Sequence, residues 1–178
     1  MPLRQFTVGT LFLSRDLSGV ESALQGADLP RAIRALSERW SVFVTEDEWH
    51  FLPDTQAAVR QVSRVAPLLH FSHAKDHGWS FRLLQGGQER ATFAEHYPWD
   101  PHHDGLIGED DPHTPHPLPD PDDLIYFRLL DLSEEDVLAL TLLLRVGHAS
   151  GDRAEAFMRL LGVPVLDSLS YPVESASQ

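Results

Sequence analysis

The chain has no cysteine in its 178 residues. That excludes a disulfide framework and thiolate chemistry. It has a single lysine, Lys75, and its arginines are scattered. Nucleic-acid binding needs a basic footprint, and a formal charge of -13 argues against one. No apolar run approaches the roughly 18 residues a membrane-spanning helix needs. The densest run, Val137 to Leu144, reads as a core helix. The opening stretch MPLRQFTVGTLFLSRDLSG lacks the apolar region and small-residue cleavage site of a signal peptide. Together these predict a cytoplasmic protein with no membrane partner. The chain also lacks a GxSxG elbow, an HExxH pair and the glycine-rich turn of a dinucleotide fold.

What the chain does have is a lopsided middle. From Ala91 to Phe127 there is no lysine or arginine. The same stretch holds nine acidic residues, seven prolines and five histidines. It therefore supplies -9 of the formal charge, and the remainder of the chain only -4. Residues 98–123 have no hydrophobic periodicity and read as one long acidic, Pro/His-rich loop. The length and apolar content fit a single domain over residues 1–178.

Elsewhere the patterns are those of an α+β fold, a mostly antiparallel sheet with helices packed on it and a C-terminal helical pair. Gln5 to Leu13 alternates as a strand, followed by a turn over 15–19. Asp28 and Pro30 read as the start of a helix carrying Ile33, Leu36 and Trp40 at helical spacing. Ser41 to Thr45 and Trp49 to Leu52 read as a hairpin. Pro53-Asp54-Thr55 opens a helix with Ala58, Val59, Val62 and Val65 as its buried stripe. Leu68 to Ser72 reads as a strand, and His73 to Gly78 as a polar connection. Gly86-Gly87 joins two alternating runs, Trp79 to Leu84 and Glu89 to Tyr97, because both turn positions tolerate positive φ. Ile125 to Leu129 is a further strand candidate. Ser133 caps a helix with three acidic residues in its first turn, where the dipole favours anions. Apolar residues ring that helix, which predicts a central position. A last helix begins near Ser150 or Asp152 and stops at Gly162.

Three functional readings follow. In the first, the protein is a binding or regulatory module whose acidic surface meets a basic protein partner by charge complementarity. Its contact residues are Trp99, as an aromatic anchor, with Asp100, Asp104, Glu109, Asp110 and Asp111. In the second, it is a hydrolase using zinc or another divalent metal. Imidazole and carboxylate are competent ligands, and the donors are drawn from His70, His73, His77, His96, His102, His103 and Asp104. The third is a structural domain with a disordered loop. The prolines of the loop make a preformed metal cage harder and an extended solvated segment easier, so partner binding ranks above catalysis, with no cofactor required.

Overall fold

The computed structural model describes residues 6–45, 52–74, 78–96, 118–145 and 151–163. Six strands form one sheet: β1 (Phe6–Leu13), β2 (Arg31–Ala35), β3 (Trp40–Thr45), β4 (Leu68–Ala74), β5 (Gly78–Gln85) and β6 (Gln88–His96). Their order is β2-β3-β1-β4-β5-β6, and every pairing is antiparallel. The helices are α1 (Leu17–Leu24), α2 (Pro53–Ser63), α3 (Pro121–Leu124), α4 (Glu134–Arg145) and α5 (Gly151–Leu160). The α+β class is thus the one the sequence patterns predict.

Both faces of the sheet are covered. Val20 and Leu24 of α1 and Val59 and Val62 of α2 pack with Phe12, Phe43, Leu68 and Leu84. On the opposite face, Leu11, Val42, Phe71, Phe81 and Phe93 pack with Leu124, Phe127, Leu140 and Phe157 from the C-terminal helices. Successive strand side chains point to opposite faces, so β3, WSVFVT, must be apolar on both and is buried at every position. Two-sided covering explains why β1 carries apolar residues on both faces. Phe157 stacks parallel to Phe81 at a centroid distance of 5.0 Å and meets Phe127 edge-on.

The β5–β6 hairpin forms as its glycines demand. Gly86 and Gly87 have φ of 65° and 80°. The turn is also docked: Gly86 N donates to the Ser63 carbonyl at 2.7 Å and Gly87 N to Ser63 Oγ at 3.0 Å. A register shift at Leu83/Leu84 marks a bulge.

Several local expectations are overturned. Residues 31–40 are not helical. They form β2, a turn and the start of β3, with Arg31 opposite Thr45 and Ala35 opposite Ser41. Ala32 packs against one core and Ile33 against the other. The helical spacing of Ile33, Leu36 and Trp40 lost to strand pairing, because a short segment cannot nucleate a helix without tertiary support. Ser37 closes the turn, its Oγ accepting from Trp40 N at 3.0 Å. The 15–19 turn is instead a 3-10 turn at Ser14–Asp16 leading into α1. The edges of β3 are taken by β2 and β1, so it has no free edge for a hairpin with 49–52, of which 49–51 lie outside the described residues. Val65 falls beyond the end of α2 and is exposed, while Ala66 is buried in its place. Strand β4 runs on through His73 to Ala74. The segment 125–129 is a 3-10 helix, Ile125–Leu130, not a strand. It follows α3 directly; of the loop expected over 98–123, residues 98–117 lie outside the described residues and 121–123 belong to α3. The Asp120 carboxylate caps α3 by accepting from Asp122 N, and Pro121 occupies the first turn, where a missing N–H costs nothing.

The helix expected at the centre is peripheral. Leu140 and Leu144 of α4 are buried, but Leu138 and Leu142 are 60% and 56% exposed. Its start matches the sequence pattern. Ser133 Oγ accepts from Asp136 N at 3.1 Å, and the Asp136 carboxylate accepts from Ser133 N at 3.0 Å. This is a reciprocal capping box.

Candidate functional site

The histidines of β4 do not converge. His70 and His73 are three residues apart on a strand, which places them on opposite faces. His70 lies on the α2 face, opposite Thr10 and Arg82, and its Nδ1 is 3.2 Å from Thr10 Oγ1. His73 lies on the α5 face. Both are buried. A face shared by His70, His73 and His77 would require a helix, and the segment carrying His70 and His73 is the strand β4. His77 itself is outside the described residues, as are His102, His103 and Asp104. His96 is the last residue of β6, paired with Gly78. Among the described residues no group of three His, Cys, Asp or Glu side chains is placed to hold a metal ion. The expected partner-contact residues Trp99, Asp100, Asp104, Glu109, Asp110 and Asp111 also lie outside the described residues.

What the sheet assembles around His73 was not expected from the sequence. Thr7, His73, Trp79 and Glu95 stand in one cross-strand row through β1, β4, β5 and β6. The Trp79 indole N–H donates to Glu95 Oε2 at 2.7 Å. The Glu95 Oε1 accepts from Arg153 Nη1 of α5, and the two charged side chains are only 12% and 9% exposed. Burial holds the His73 pKa below its ordinary 6.5, and the Glu155 carboxylate opposes that shift only in part. Desolvation favours the neutral imidazole. One signal for this row was present: Glu95 continues the period-two register of Ala91 and Phe93, an acidic residue at a core position. Arg153 had no comparable signal, because only the docking of α5 brings it to Glu95.

Chemically this cluster is a clamp. Each Glu95 oxygen accepts from a named donor, and an ion pair buried this far holds its partners in place only while both are present. It fixes α5 onto the end of the sheet where Phe6, Ala74, Gly78 and His96 align. The acidic segment leaves β6 at that same end.

The helical layer beyond the clamp combines carboxylates with exposed apolar side chains. Residues 118–145 carry Asp120, Asp122, Asp123, Asp131, Glu134, Glu135 and Asp136 against Arg128 and Arg145. The same stretch contributes Leu118, Ile125, Leu138 and Leu142 to the large apolar side chains that are exposed, with Leu52 and Val65 elsewhere. On the opposite side of the sheet, α1 and α2 enclose a groove of about 600 Å³ between Ala23, Ala27, Ala57 and Ala58, with Asp28 and Asp54 at its walls. It is small-sided and acidic.

Compared with known proteins, the chain matches no family model, no curated protein and no solved structure.

Proposed function

We propose that this protein is a binding or regulatory module that meets a basic protein partner through an acidic surface. The observation that carries the reading is the composition of the 118–145 layer, where exposed leucine and isoleucine side chains sit in a stretch rich in carboxylates. Interfaces combine an apolar centre with a polar rim. Carboxylates around such a centre raise the encounter rate with a cationic partner and disfavour acidic ones. The sequence adds to this: residues 97–117 continue the acidity without a lysine or arginine.

The test is a titration of the whole chain with a basic polypeptide and a neutral one, at low and high salt. The basic probe binds more tightly, and its affinity falls as salt rises. Equal binding of the two probes overturns the proposal. So does stoichiometric, chelator-resistant zinc or iron in the purified, tag-free protein, which would restore the hydrolase reading.

A further inference from the structure

We infer that the free edge of β6 receives a second copy of this chain. The copy adds its own β6 antiparallel and joins the two sheets into one about a two-fold axis at Phe93. The inference does not depend on the basic-partner reading.

The hydrogen-bond phase of the sheet decides which groups β6 turns outward. Gln85 and Gln88 flank the Gly86-Gly87 turn, where hairpin partners exchange both backbone bonds. Alternating from Gln85, β5 bonds to β6 through Leu83, Phe81 and Trp79, whose partners are Ala91, Phe93 and Glu95. Thr92 and Ala94 therefore point their N–H and C=O away from β5. β6 is the last strand of the sheet, and among the described residues no backbone bond from another segment reaches either residue. The stretch Ala91-Thr92-Phe93-Ala94 has no charge and no proline, the usual guards of an open edge. The opposite edge is guarded, because β2 is only 5 residues long and carries Arg31 and Arg34. Antiparallel pairing about Phe93 sets Thr92 of each copy opposite Ala94 of the other, in the phase that exchanges both backbone bonds of each pair. The two-fold axis makes this edge complementary to itself.

Charge selects the second copy as the occupant. In this register His96 of the second copy lies beside Arg90, so the segment 97–117 that follows it in the chain sets out toward the Gly86-Gly87 turn. That segment has Asp100, Asp104, Glu109, Asp110 and Asp111 and no lysine or arginine. The turn is flanked by cations, with Arg64 against Gly87 and Arg90 against Gly86. Neither forms an ion pair among the described residues. The Arg64 guanidinium donates to Gln61 Oε1 at 3.4 Å. Arg90 stacks on Tyr126, and its Nε has no acceptor. Of the carboxylates around them, Glu89 is held by Arg82 at 3.4 Å. Asp122 and Asp123 belong to α3, which packs against β6, and pair with neither arginine. Each copy thus gives its acidic segment to the other's cationic turn, which offsets the repulsion between two chains of charge -13.

Sedimentation velocity of the full chain tests this, and the species expected has twice the 20.0 kDa mass of the chain. Thr92→Pro removes an outward N–H, which an edge strand can lose without breaking its ladder to β5. It deletes one bond from each pair and weakens the dimer at least about tenfold. Unchanged far-UV circular dichroism confirms that the variant is folded. Thr92→Lys keeps the backbone donor and guards the edge by charge, and it weakens the dimer even if the proline variant fails to fold. Arg64→Glu weakens the dimer as well, and that loss shrinks as salt rises. The chain has no cysteine, so Thr92→Cys and Ala94→Cys proteins, mixed and oxidised, cross-link to each other, because directly paired residues lie within disulfide reach. A chain that stays monomeric at every accessible concentration overturns the inference. Slow exchange of the Thr92 and Ala94 amides in that monomer would make its own 97–117 segment the occupant. A dimer indifferent to both Thr92 variants overturns the inference equally, as do mixed cysteine proteins that do not cross-link.

Discussion

Trp79 and Glu95 face each other across β5 and β6, and the indole N–H donates to the carboxylate at 2.7 Å. The other carboxylate oxygen takes Arg153 from α5. The sheet end and the last helix are thus joined through one acidic side chain.

Breaking that joint from one side leaves a buried charge without its partner. Arg153→Met is expected to destabilise the protein by about 3 kcal/mol. Glu95→Leu should cost a similar amount. The double variant should cost less than the two together, with a coupling of about 1–3 kcal/mol. Urea unfolding of the four proteins measures it. Additive losses would mean that Glu95 and Arg153 do not support each other.

His73 makes stability depend on pH. Its folded pKa lies below the unfolded value of 6.5 because burial disfavours the imidazolium. Between those two pKa values the unfolded chain binds the proton and the folded chain does not. Stability is therefore complete above pH 6.5 and declines as pH falls from there to the folded pKa, with a slope of at most about 1.4 kcal/mol per pH unit for this one group. His73→Gln should reduce that slope. An unchanged slope in the variant would assign it to other groups.

The cap of α4 is testable locally. Ser133→Ala removes the hydroxyl that accepts from Asp136 N, and should cost about 1 kcal/mol of stability. The Asp136 carboxyl is held below its usual range first by the Ser133 side chain and then by the Ser133 backbone. In the alanine variant its titration should move upward, as followed by NMR. A carboxyl that does not move would show that the hydroxyl is not its partner in solution.

Two glycines should respond to alanine with opposite signs. At Gly87, φ is +80° and an added methyl would meet Arg64 Nε at 3.3 Å. Gly87→Ala should destabilise by about 1 kcal/mol. Gly19 lies within α1, and nothing stands within 4 Å of an added methyl. Gly19→Ala should stabilise by about 0.5–1 kcal/mol. Thermal unfolding of the pair is sufficient, and two changes of the same sign would contradict the backbone argument.

The features legible in the sequence are those whose causes lie within a few residues. Gly86-Gly87 specifies a positive-φ turn by itself, and Ser133 with Asp136 specifies a helix start through two short hydrogen bonds. The absence of cysteine and the concentration of acid between Ala91 and Phe127 are likewise properties of the chain alone. Tertiary structure decided the rest. Ile33 and Trp40 have the spacing of a helix, yet pairing with β3 and two-sided burial made their segment strands. The leucines ringing α4 read as a buried helix. Only the arrangement of α5 and the sheet determined that Leu140 and Leu144 turn inward while Leu138 and Leu142 remain exposed. His70 and His73 were separated by the strand that carries them, and Arg153 reached Glu95 across 58 positions of sequence. Burial and long-range pairing depend on partners distant in the chain, and local pattern does not contain them.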